Sequence, residues 1–68
     1  MSKFTMNLKK LMIERKMTAA DIARKTGMTQ ATLSRYINGK RIPNINSVIK
    51  IAKALNVPIE LLMKGVDE

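Results

Sequence analysis

Gln30, Ala31, Ser34, Arg35 and Asn38 recur at helical spacing, and no acid stands among them. On one face of a helix they would offer amides, a methyl, a hydroxyl and a guanidinium, groups of modest length that match base edges and phosphate oxygens. Gln30 can bond adenine through its amide in bidentate fashion, and Arg35, just over one turn along, can bond O6 and N7 of guanine. Ala31 is short enough to admit a thymine methyl. An ordinary solvated helix face would mix Glu with Lys, and this one does not. Catalytic chemistry lacks its parts: there is no His and no Cys, and the five carboxylates are widely spaced. The chain therefore offers no evident acid–base pair, nucleophile–base pair or metal cluster, and neither an enzyme nor a cofactor is expected.

Two short helices joined by a Gly-centred turn would hold this face, spanning residues 18–37. Thr18 can cap the first of them while Asp21, three residues on, completes a capping box and favours the positive end of the helix dipole. Ala20, Ile22 and Ala23 allow a second helix to approach closely, and Gly27 stands where a left-handed residue would end the first near Thr26. Thr29 offers the next N-cap. Leu33, Tyr36 and Ile37 then share one face and turn the polar residues outward. Such capped pairs also occur in small helical proteins that bind nothing, so it is the outward residues that favour nucleic acid.

The run TAADIARKTGMTQATLSRYINGKRIP resembles the lambda-repressor-like, Cro/C1-type helix-turn-helix family, and the likeness continues through NINSVIKIAKALNVPIELL, over about residues 8–64. The resemblance implies an all-α fold, a compact five-helix bundle, in which the helix after Thr29 enters the major groove of double-stranded DNA. It implies that Thr29, Gln30, Ala31 and Arg35 approach base edges, and that Ser34, Asn38, Lys40, Arg41 and Asn44 hold phosphates. Thr18 is a further phosphate candidate at the start of the unit, where Ala19 replaces the Gln that many members carry. Met12 and Ile37 stand where many members bury an Arg–Glu pair, and packed apolar groups there are compatible with the fold.

The remaining elements follow from periodicity. A first helix is expected from Thr5 to Lys16, with Leu8, Leu11, Met12 and Arg15 on one face and Glu14 paired back to Lys10. After Asn38 and Gly39, the segment KRIP must be a loop, because Pro43 discourages helical geometry at Ile42. Asn44 caps a fourth helix that runs through Leu55, with Val48, Ile51, Ala52 and Leu55 as its stripe; its free N–H groups could also bind a phosphate oxygen. Asn56 ends it, and Pro58 opens a short fifth helix that ends by Gly65. Tyr36 is expected to be half-buried, with its hydroxyl at the DNA-facing edge. One Tyr and one Phe are too few for a base-stacking platform.

Sixty-eight residues fit a single helix-turn-helix domain, 1–68, with one modest core. The net charge of +8 is unevenly placed, since no acid occurs between Ile22 and Ile59. Before residue 56, twelve bases face Glu14 and Asp21, a net of +10; after it, Lys64 faces Glu60, Asp67 and Glu68, a net of −2. A basic body suits a polyanion, although a solubilising surface could carry the same charge. No apolar run approaches a membrane span or a signal-peptide core, and with no Cys the chain suits a reducing cytoplasm, so no membrane partner is expected.

A single domain of this kind reads few base pairs, so a homodimer on a pseudo-palindromic operator is expected. Val57, Ile59, Leu61 and Met63, with Val66, form an apolar tail that could be the dimer contact; packing within the chain's own core is the competing reading. The functional expectation is a transcriptional regulator, of phage or prophage repressor type. The alternative is a DNA-binding antitoxin or a restriction-modification controller whose main partner is another protein.

Overall fold

A computed structural model of the chain describes residues 2–66. Met1, Asp67 and Glu68 lie outside the described residues, and with them the last two acids of the tail. The described residues form five helices: α1 (Lys3–Arg15), α2 (Ala19–Thr26), α3 (Gln30–Ile37), α4 (Ile45–Leu55) and α5 (Ile59–Met63), with no strand among them. α4 packs against α1, α2 and α5, while α3 is held by α1 and α2. The fold is all-α, as expected.

α1 begins two residues before its expected start, at a cap supplied by Ser2, whose Oγ accepts the Thr5 amide N–H at 3.1 Å. Phe4 and Thr5 therefore lie in the first turn and are fully buried. The Thr5 hydroxyl meets its hydrogen-bonding needs inside, donating to the Tyr36 carbonyl at 3.2 Å. Leu8 and Leu11 are core, Met12 packs at its margin and Arg15 is exposed. Lys16 is not helical but adopts a left-handed C-cap, φ 55°. Asp21 and Arg24 form the ion pair found among the described residues, at 3.0 Å, so the expected Glu14–Lys10 pair does not form. Both of those side chains are solvent-exposed, where such a pair gains little over hydration.

The α2–α3 unit matches its expected caps. Thr18 Oγ1 accepts the Asp21 N–H at 3.1 Å and Asp21 Oδ2 accepts the Thr18 N–H at 2.9 Å, a reciprocal box. Gly27 takes φ 79° as the left-handed end of α2. Ile22 and Leu33 are wholly buried, fixing α3 on α2 through apolar contact worth about 2–5 kcal/mol for each large aliphatic side chain removed. Around them Phe4, Leu8, Ile51, Leu55 and Leu62 complete one core.

Two further contacts tie the ends of the chain together. Asn7, an α1 residue, donates from Nδ2 to the carbonyls of Leu62 (2.7 Å) and Lys64 (2.9 Å), and so caps the end of α5. Tyr36 is only 6% exposed, more deeply set than its expected half-burial. No described helix is long and apolar enough to cross a membrane.

Candidate nucleic-acid interface

The exposed face of α3 carries the expected set: Gln30, Ala31, Ser34, Arg35 and Asn38 are all solvent-exposed, while Leu33 and Tyr36 anchor the opposite side. The amphipathic register explains this, because residues three and four apart share a side of an eight-residue helix. The Arg35 guanidinium has no acid partner among the described residues.

Lys40 and Arg41 are brought to the same end of α3 by the backbone. The Arg35 carbonyl accepts the amide N–H groups of Lys40 at 2.9 Å and Arg41 at 3.3 Å, and the Tyr36 carbonyl accepts that of Gly39 at 3.2 Å. This doubly bonded helix end requires a left-handed residue, which Gly39 supplies at φ 74°. Buried Pro43 then leads into α4.

The polar candidates share a pattern of hydrogen bonding. Asn38 Nδ2 donates to Ser34 Oγ at 3.1 Å, which leaves the Ser34 hydroxyl proton and the second Asn38 amide proton for an outside acceptor. Asn44 Oδ1 accepts the Ser47 N–H at 2.9 Å as the N-cap of α4, leaving its own amide protons available. Thr18 Oγ1 likewise spends its acceptor on Asp21 and keeps a donor. A surface of donors suits phosphate, an acceptor only.

Thr29 is different. Its Oγ1 accepts the Thr32 N–H at 3.1 Å and donates to Thr32 Oγ1 at 2.9 Å, so its hydroxyl proton is already used and only acceptor capacity remains toward a base. Thr32 was missed as a partner, although its position three residues after a Thr cap is a readable signal. Thr18 is set apart from the α3 cluster: with Met17 and Ile37 it lines a separate groove beside α1.

The electrostatics are one-sided. Between Ile22 and Ile59, Lys25, Arg35, Lys40, Arg41, Lys50 and Lys53 are all exposed, and among the described residues only Arg24 is paired with an acid. Asp21 is held below the usual carboxylate range, first by the Thr18 backbone N–H, then by the Arg24 and Thr18 side chains.

The expected dimer residues divide. Val57 is 8% exposed and belongs to the chain's own core, contrary to its placement at an outer contact, because Asn56 turns left-handed at φ 59° and directs the chain back over α4. Ile59, Met63 and Val66 pack against the same core, and Leu61 alone is exposed, at 41%. Other exposed large apolar side chains lie elsewhere, at Met6, Ile13, Ile42, Ile45 and Ile49. Ile45 and Ile49 fall outside the 48–51–52–55 stripe of α4, which is the signal the sequence offers for them, while Ile42 lies in the loop before α4.

A helix-turn-helix family model matches residues 8–62. The transcriptional repressor RghR of Bacillus subtilis (strain 168) is 41% identical over 64 residues, which is 93% of this chain and 47% of the relative. This chain spans about half the length of the first curated relatives it matches. Among solved structures, the restriction-modification controller C.AhdI from Aeromonas hydrophila superposes with a TM-score of 0.82 at 22% identity, covering 88% of this chain and 91% of that one; the likeness is one of fold. A point mutant of the restriction-modification controller C.Esp1396I superposes at 0.81 with 31% identity, over 93% and 89% of the two chains.

Proposed function

The chain belongs to the Cro/C1-type helix-turn-helix family of DNA-binding transcriptional regulators, which are not enzymes, and on that premise we propose that it reads a pseudo-palindromic operator as a dimer, with α3 in the major groove. The observation that carries this reading is the acid-free face of α3 joined through the Arg35 carbonyl to Lys40 and Arg41. In this reading Gln30, Ala31 and Arg35 contact bases, with Thr29 as an acceptor at the helix entrance. Ser34, Asn38, Lys40, Arg41, Asn44 and Thr18 donate to phosphates. The N–H groups of Ile45 and Asn46, in the first turn of α4, add to the Asn44 site.

The dimer contact is proposed at Ile42, Ile45 and Ile49 with a contribution from Leu61, rather than around Val57. A two-fold interface places the same residues of both copies against one another, so exposed apolar side chains there would be covered by their counterparts. The patch neighbours Lys40, Arg41 and Asn44 in the chain, so pairing there couples the two copies to adjacent phosphates. Action in a bacterial cytoplasm is part of the same proposal.

Selection from a random-duplex library tests the reading. An enriched inverted repeat with half-sites about one helical turn apart is expected. Retention without enrichment, collapsing with added salt, would reject sequence-specific reading.

Within this function the restriction-modification controller competes with the phage-type repressor. Likeness to C.Esp1396I at 31% identity over nearly the whole chain favours the former. Finding the selected operator upstream of a methyltransferase–endonuclease pair would decide for it, and finding it in a lysogeny region would decide against it.

A further inference from the structure

An open groove of about 480 Å³ lies between the end of α1 and the end of α3, and none of Arg35, Lys40 and Arg41 lines it. Its walls are Met12, Ile13, Met17 and Ile37, with Lys9 and Lys16 at its rim and Thr18 at one side. Ile13 is 77% exposed, more than any other large apolar side chain among the described residues. The DNA-binding reading gives it no task, and the core does not use it.

We propose that this groove docks an acidic amphipathic helix of a protein partner, with Ile13 as the central anchor.

The charge decides the partner's sign. Lys9 and Lys16 line the groove, and among the described residues no carboxylate does. Glu14, the one acid of α1, faces a different depression together with Lys10 and Lys64. Asp21 is committed to the Thr18 N–H and to Arg24. A second copy of this chain would bring Lys9 and Lys16 against the bases of a chain of net charge +8, which opposes self-association through this face. An acid-flanked helix supplies the opposite charge and covers the isoleucine.

Shape decides for a helix over a small molecule. Small-molecule sites enclose about 70–90% of their ligand. Here Ile13 stands out as a ridge, so a ligand would sit against it rather than within it. A helix laid alongside α1 can place residues at i, i+3 and i+4 on both sides of that ridge. Met12 and Met17 suit this contact, since unbranched thioether side chains repack around different partners.

The test is selection of a displayed helical-peptide library on the full chain at about 150 mM salt, with no DNA present, so that it stands or falls apart from the DNA-binding reading. We expect enriched peptides with two or three apolar residues at helical spacing flanked by Asp or Glu. The synthesised winner should bind at least about tenfold more weakly to Ile13→Asp and to the double variant Lys9→Glu, Lys16→Glu. Circular dichroism and thermal melts of both variants verify that they fold. The absence of an enriched helical consensus overturns the proposal, as does a winner indifferent to both variants or one flanked by bases. So does preferential, Ile13-dependent retention of the chain on phosphatidylserine vesicles, which would assign the groove to a lipid surface.

Discussion

The carbonyl of Arg35 accepts the amide N–H of Lys40 at 2.9 Å, so the end of the proposed recognition helix and the first base of the following loop are one hydrogen-bonded unit. Gly39 makes the unit possible at φ 74°, and a Cβ there would meet only Thr5, at 3.7 Å. Gly39→Ala should therefore lose about 1–2 kcal/mol from backbone strain rather than from a clash. Gly27→Ala, at φ 79° with nothing near its Cβ, should lose a similar amount. Urea denaturation of both variants checks this; a Gly39→Ala variant as stable as the wild type would contradict the left-handed helix end.

Arg35 and the two following bases should separate by what they read. Arg35→Ala is expected to cost about 1–3 kcal/mol at one base position and to relax discrimination there. Lys40→Gln and Arg41→Gln should instead weaken all duplexes alike and flatten the slope of log affinity against log salt by about 0.9 each. Titrations on several duplexes at several salt concentrations distinguish these outcomes, and a uniform loss for Arg35→Ala would move that residue to a phosphate.

Thr5 holds the same helix end from the other side. Thr5→Val preserves shape and deletes the hydroxyl that donates to the Tyr36 carbonyl. That carbonyl keeps the Gly39 N–H at 3.2 Å, so the expected loss is about 1 kcal/mol and not the larger cost of a wholly unpaired group. Thermal melts of the variant measure it, with Ser2→Ala as a comparison, since Ser2 Oγ both caps the Thr5 N–H and donates to Thr5 Oγ1 at 2.9 Å, and the second of these bonds is lost in either variant.

The Asp21 carboxyl titrates below its ordinary value of 3.8 in the folded chain, because the Thr18 N–H and Arg24 favour its charged form. Its contribution is present above the ordinary value and is lost as pH falls through the lower, folded value. Asp21→Asn should be less stable than the wild type at neutral pH, and the gap should close in strong acid. A gap that stays constant from pH 7 to below the carboxylate range would show that the charge is not what stabilises α2.

Association should respond to Ile45 more than to Leu61. Ile45 is 56% exposed on α4 and Leu61 41% on α5, and neither is part of the buried core. Ile45→Lys is expected to shift sedimentation toward monomer and weaken operator binding while leaving the melt nearly unchanged; Leu61→Lys should do so less. The reverse order would return the contact to the tail.

Every helix cap at Thr18, Thr29 and Asn44, and the ends at Gly27 and Asn56, could be read directly, because capping joins residues two to four apart and depends on side chains whose identity is visible. The outward face of α3 was legible for the same reason: helical spacing decides which residues turn together once a few apolar neighbours demand burial. The early start of α1 was not read, although Ser2 lies three residues before Thr5, because the polar Thr5 gave no sign of the core that surrounds it.

The sequence by itself determined the five-helix order, the family and the acid-free polar face, all of which rest on local spacing and on residue type. Only the tertiary structure decided that Val57 turns inward, that Ile13, Ile42, Ile45 and Ile49 remain outside, and that Asn7 caps α5 across 55 residues. An apolar residue states a preference for burial but not which of several surfaces will satisfy it. That choice is settled by how the helices pack and by which groups the limited core of a small domain leaves in water.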